Sequence, residues 1–96
     1  MIQRALVKEP DNGAYLDSLG WIYYKKGMYG EALDRLKKAA TLYKDAVIYE
    51  HLGDVYYEME QWKSAQDNWT MSLEMAPDQE HIKKKLKKIK PLLEKK

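Results

Sequence analysis

Cysteine is absent from the 96-residue chain, which excludes disulfides, thiolate nucleophiles and cysteine-ligated zinc. Phenylalanine is absent too, so eight tyrosines and three tryptophans supply the large rings. Only three prolines and five glycines occur, leaving long stretches free to be helical. No apolar run approaches the roughly 18 residues that a membrane span needs. Met1 leads directly into amphipathic sequence, without the apolar core of a secretory leader. Neither sign of charge prevails, and a formal +2 names no partner.

The composition that remains, 45% hydrophobic and 33% charged, argues for a folded chain rather than a disordered one. A chain this short buries only about 60–65% of the surface its unfolded form exposes, so its core must be used economically. Charge is distributed unevenly. From Asp78 to Lys96 there are eight lysines against three acids, whereas the rest of the chain holds nine basic and twelve acidic residues. Tail and body are oppositely charged.

The sequence matches itself at an offset of 33 residues. Leu19-Gly20 recurs as Leu52-Gly53, and Ile22-Tyr23-Tyr24 as Val55-Tyr56-Tyr57. Tyr29 recurs as Trp62, Ala32 as Ala65, Leu36 as Trp69 and Ala39 as Ser72. Large residues stay opposite large and small opposite small. Each unit reads as two helices by apolar spacing. In the first unit they run from about Ala14 to Lys26 and from about Gly30 to Tyr43; Tyr15, Leu19, Ile22 and Tyr23 form the apolar face of the first. In the second they run from about Val47 to Met59 and from Lys63 to Met75. Gly27 is placed to stop a helix in a left-handed conformation. Gly20 and Gly53 sit inside helices, where glycine costs about 1 kcal/mol relative to alanine. That cost makes sense if a partner helix crosses closely, with Ala32 and Ala65 facing the glycines and Tyr29 and Trp62 filling the space beside them. From Asp78 to Lys90 a fifth helix carries Ile82, Leu86 and Ile89 as one narrow stripe, and Pro91 is expected to break or kink it.

The pattern resembles the tetratricopeptide repeat family. Its motif falls on Leu16, Leu19-Gly20, Tyr23, Gly27, Tyr29, Ala32, Leu36 and Ala39 in the first unit. In the second it falls on Tyr49, Leu52-Gly53, Tyr56, Glu60, Trp62, Ala65, Trp69, Ser72 and Pro77. Departures are Leu16, Lys44, Glu60, Ser72 and Gln66, and the first unit is one residue short of the usual period of about 34. The stretch from Leu16 to Leu33 resembles the C-terminal repeats of microbial multi-repeat proteins. The resemblance implies an all-α, right-handed α-solenoid of antiparallel helix pairs. Residues 1–12 would end a preceding repeat, 13–45 and 46–79 would be two units, and 80–96 would be a capping helix with a lysine-rich tail. Met1 then falls within a helix, and the chain reads as a piece of a longer array.

The resemblance also implies a function, a scaffold that binds a partner peptide or helix in a concave groove lined by first helices. The groove positions become Asp17, Trp21, Tyr24 and Lys25, with Ala14, in the first unit. In the second they become Glu50, Asp54, Tyr57 and Glu58, with Val47, and on the tail helix His81, Lys84 and Lys88. Helical spacing separately puts Asp17, Trp21 and Tyr24 on one face, and Glu50, Asp54 and Tyr57 on another. Trp21 is the candidate hot spot, or else packs against a neighbouring helix. The lysine and asparagine clamp by which some family members hold a terminal carboxylate is replaced by Asp17, Trp21 and Asp54. Glu50, Asp54 and Glu58 favour a basic segment, or are neutralised by Lys84 and Lys88.

Catalytic and metal-binding patterns are missing. His51 and His81 have no ligand spacing around them, Ser18, Ser64 and Ser72 have no elbow or base motif, and no glycine-rich phosphate loop exists. The chain is expected not to be an enzyme and to need no cofactor or metal. Two alternatives to a groove binder remain. One is self-association or helix swapping through an exposed end carrying Ile2, Leu6 and Leu16. The other is contact of the basic tail with a membrane surface or nucleic acid, disfavoured because the apolar stripe is short and the tail lacks arginines and aromatic wedges.

Overall fold

The computed structural model describes residues 13–94. Residues 1–12, with the expected remnant of a preceding repeat and both Ile2 and Leu6, lie outside the described residues. Five helices occur among the described residues, with no strand: α1 (Gly13–Lys25), α2 (Tyr29–Leu42), α3 (Ala46–Glu58), α4 (Trp62–Met75) and α5 (Glu80–Leu93). They fall into two compact units that divide between Lys44 and Asp45. The first holds α1 packed on α2; the second holds α3 packed on α4, and α4 packed on α5.

Helix ends follow local chemistry. Asp45 caps α3 by accepting a hydrogen bond from the Val47 N–H at 2.8 Å, which satisfies one of the orphan donors of the first turn. The turns after α1 and α3 are built alike. Met28 N–H donates to Tyr23 O at 2.9 Å and Gly27 N–H to Tyr24 O at 3.0 Å; Gln61 N–H donates to Tyr56 O and Glu60 N–H to Tyr57 O, both at 3.0 Å. This paired 6→1 and 5→2 closure needs a left-handed residue, supplied by Gly27 at φ 80° and by Glu60 at φ 62°. The second unit thus keeps the turn geometry of the first without its glycine.

The core is small residues met by large ones. Leu16, Ala32, Leu36 and Ala39 are buried in the first unit, and Ile48, Leu52, Val55, Ala65, Trp69, Ile82 and Ile89 in the second. Burial of Leu16 removes it from the expected sticky end. Ile22, placed on the apolar face by spacing, stands 50% exposed, while its counterpart Val55 is fully buried; spacing chooses a side of the helix, not what covers it. The glycine contacts are also not quite as expected. A Cβ on Gly20 would lie 2.6 Å from Leu36 Cγ and 3.2 Å from the Ala32 carbonyl oxygen. A Cβ on Gly53 would run into the Trp69 indole. The residue seated on each glycine is therefore the large Leu36 or Trp69, more than the alanine one turn before it. Trp62 is only half-buried, at the edge of the cluster.

Pro91 does not end the tail helix, which continues to Leu93. Leu92 and Leu93 pack on the cluster around Trp69, Ile82 and Ile89, and Glu94 N–H returns to Lys90 O at 3.2 Å. Burial of two leucines outweighs the hydrogen bond that proline removes. Ser72, where alanine is usual, is fully buried. Its hydroxyl donates to Ala46 O at 2.7 Å, and Gln79 Nε2 donates to the same hydroxyl oxygen at 3.2 Å. The extra oxygen is thus satisfied and ties the start of α3 and the α4–α5 turn to one point.

Gly53→Ala is expected to destabilise by about 1–3 kcal/mol through overpacking and Trp69→Ala by about 3–5 kcal/mol. Because the two act on one contact, the double variant should lose less than the sum in a denaturant cycle. Glu60→Gly should be neutral to stabilising by up to about 1 kcal/mol, since relief of a left-handed side chain exceeds the entropy glycine adds to the unfolded chain. A thermal melt reads this directly.

Candidate functional site

The acidic positions of α3 are engaged within the second unit. Glu50 and Asp54 are one turn apart and so project from one side of the helix. Lys85 Nζ lies 2.8 Å from Glu50 Oε2 and 2.8 Å from Asp54 Oδ1. His81 Nε2 lies 3.2 Å from the Glu50 carboxylate. The Trp69 indole N–H donates to Asp54 Oδ1 at 3.1 Å and to the Glu50 carbonyl oxygen at 3.3 Å. Lys85 Nζ also stands 5.6 Å from the centroid of the Trp69 ring, within cation–π range. Five groups from three helices thus form one knot.

The neutralising cation is Lys85, and His81 lies beside it against Glu50. Sequence reasoning chose His81, Lys84 and Lys88, a stripe of three-and-four spacing; the stripe that meets the acids is His81–Lys85, four apart. Lys84 and Lys88 are exposed. The signal that could have found Lys85 was complementarity between two i, i+4 pairs, Glu50/Asp54 and His81/Lys85. Trp69 was legible as a large residue but not as a hydrogen-bond donor. Tyr57 is half-buried, with its ring 5.2 Å from Trp62 and 5.6 Å from Trp69 between centroids. Glu58 is exposed.

Burial sets the proton affinities of the knot. Burial pushes the Asp54 carboxyl up and neighbouring Glu50 adds to this; Lys85 and Trp69 offset it only in part. Burial also acts to raise Glu50, but hydrogen bonds from Lys85 and His81 overcome it and hold the group below its usual value. Burial acts to lower Lys85, and the two carboxylates overcome it and raise it. The two acids therefore move oppositely although they share one lysine, because Asp54 is the more deeply placed.

In the first unit the corresponding face of α1 is aromatic. Trp21 stacks on Tyr24 with centroids 4.7 Å apart and planes 23° from parallel. Lys25 Nζ lies 5.7 Å from the Trp21 centroid. Tyr24 also approaches Tyr29 at 6.0 Å. Asp17, Trp21 and Tyr24 are half-buried and Lys25 is exposed. Among the described residues, no group of three or more histidines and carboxylates lies together to hold a metal ion. Among the same residues, no helix is long and apolar enough to cross a membrane.

No protein-family model matches the chain. Tetratricopeptide repeat protein 13 of Homo sapiens is 30% identical over 78 residues, which cover 81% of this chain. The TPR repeat-containing protein PA4667 of Pseudomonas aeruginosa is 39% identical over 54 residues, or 56% of this chain. The crystal structure of MamA superposes with a TM-score of 0.87 at 23% identity over 95% of this chain. The units resemble the tetratricopeptide repeats after which both curated relatives are named. The all-helical fold is that of a repeat solenoid. The chain spans 9% of the length of each of these curated relatives and 54% of the MamA chain. A tetratricopeptide fold serves generally as a protein–protein interaction scaffold.

Removing the lysine of the knot leaves two carboxylates half-buried against an indole. Lys85→Met should cost about 1–3 kcal/mol at neutral pH, less than for a fully buried pair because solvent reaches the site. The deficit should shrink as pH falls through the carboxylate range and the acids become neutral. In the native chain the raised Lys85 stabilises fully below its unfolded value and loses this contribution as pH rises above about 10.5. Glu50 contributes above its unfolded value and loses its contribution in acid, whereas the raised Asp54 acts with the opposite sign. Melts of both chains from acid to alkaline pH check the set.

Proposed function

We propose that the chain binds a segment of a partner protein on the face of α1 that carries Asp17, Trp21, Tyr24 and Lys25. The stacked Trp21–Tyr24 pair with Lys25 beside it is the observation that carries this reading. Two stacked rings offer large apolar area at little side-chain entropy cost. Asp17 and Lys25 stand one turn to either side of Trp21, so polar groups of both signs frame the rings. This suits a segment with one apolar or aromatic anchor flanked by charge. In the second unit, Glu50 and Asp54 already receive a basic helix, α5 of the same chain. That leaves Glu58 as the exposed acid of the second set. His81, as a ligand of Glu50, belongs to the scaffold on this reading, and exposed Lys84 and Lys88 stand available to a ligand.

Selection from a displayed peptide library, followed by fluorescence anisotropy, tests the assignment. Trp21→Ala should weaken a selected peptide by roughly tenfold or more, as expected of a hot-spot aromatic, while the melting temperature falls by no more than a few degrees. Binding indifferent to Trp21, or a collapse of the melt on its replacement, would assign this tryptophan to packing instead.

A further inference from the structure

We propose that the open groove between α4 and α5 is a second docking surface, for an acidic helical segment of a partner protein. The groove encloses about 400 Å³ and is lined by Gln66 and Thr70 of α4 and by Lys83, Leu86, Lys87 and Lys90 of α5. It lies on the far side of α5 from the bonds that Lys85 makes to α3, and it does not depend on the α1 face.

The lining has one sign of charge. Lys83, Leu86, Lys87 and Lys90 follow three, four and seven residues along one helical stripe, spanning about 10 Å of the axis. Gln66 and Thr70 are one turn apart on the opposing wall and carry no charge to neutralise the lysines. Lys83 has an acid within reach, Glu80 at 3.2 Å, an exposed pair that holds it weakly. Lys87 and Lys90 are exposed. Between them Leu86 is half-buried, one side of it packed on the core cluster of the unit. An apolar floor between a cationic wall and a neutral polar wall fits a helix that presents one apolar residue, with carboxylates three and four positions away from it. A flat lipid surface would not fill a cleft, and Leu86 alone offers little to insert into a bilayer.

The probe is a helical peptide of about four turns with a central leucine and glutamates three and four residues to each side, labelled for anisotropy. A second peptide has glutamine at those positions and a third has lysine. The native chain should bind the glutamate peptide roughly tenfold or more tightly than the glutamine peptide, with affinity falling as salt rises. Lys87→Glu with Lys90→Glu should remove that preference and gain binding of the lysine peptide, with the melt little changed. Lys84→Glu with Lys88→Glu, which leaves the groove lining intact, should weaken binding far less. Equal loss from the two double variants, equal binding of the glutamate and glutamine peptides, or no binding at all would overturn the proposal. So would recruitment of the chain to phosphatidylserine vesicles without binding of the peptide.

Discussion

An indole laid across a glycine organises the second unit. Gly53 has no Cβ, and the Trp69 ring occupies the space one would need. The cost of glycine inside a helix is repaid by the area of the ring, which is almost wholly buried. The position of the ring then dictates the polar contacts. Its N–H faces α3 and reaches both Asp54 and the Glu50 carbonyl. Its π-face lies within reach of the Lys85 ammonium. The first unit uses the same device with Leu36 on Gly20. An aliphatic side chain there carries no donor, so nothing equivalent to the charge knot is built from that position.

The knot illustrates how a half-buried ionic cluster is tolerated. Burial acts against each charge, on Asp54 most visibly. Lys85 answers two carboxylates at once, and the indole supplies a further donor. No buried side-chain nitrogen or oxygen among the described residues lacks a hydrogen-bond partner. The arrangement fixes the register of α5, because a shift by one residue would put Lys84 or Leu86 where Lys85 is needed. Apolar burial supplies much of the stability, through Ile82 and Ile89 and through Leu92 and Leu93 beyond the proline. Ionic pairing supplies alignment.

The tail helix therefore has two working sides. Lys85 and His81 turn toward α3 and complete the second unit. Lys83, Lys87 and Lys90 line the groove with α4. The excess positive charge of the tail is not one uniform solvating surface, since its members have different neighbours and different energetic weight.

The repeat was legible in the sequence because helix packing leaves a periodic record of residue size. Glycine opposite a large side chain, alanine at the tight crossing and aromatics at the start of each second helix all recur at one offset. Helix ends were legible to within one or two residues except at Pro91, where Leu92 and Leu93 pack on a core shared with α4 and keep the helix going. The candidate site was legible only as faces. Spacing placed Glu50 with Asp54 and Trp21 with Tyr24, as a property of one helix alone. Which lysine meets those acids depends on the rotation of α5 about its own axis. That rotation is set by Ile82, Ile89, Leu92 and Leu93 seating against Trp69 and Ala65, contacts between residues far apart in the chain. Local periodicity determined the elements and their faces; the pairing of one face with another was decided by tertiary packing, because only there do separate helices meet.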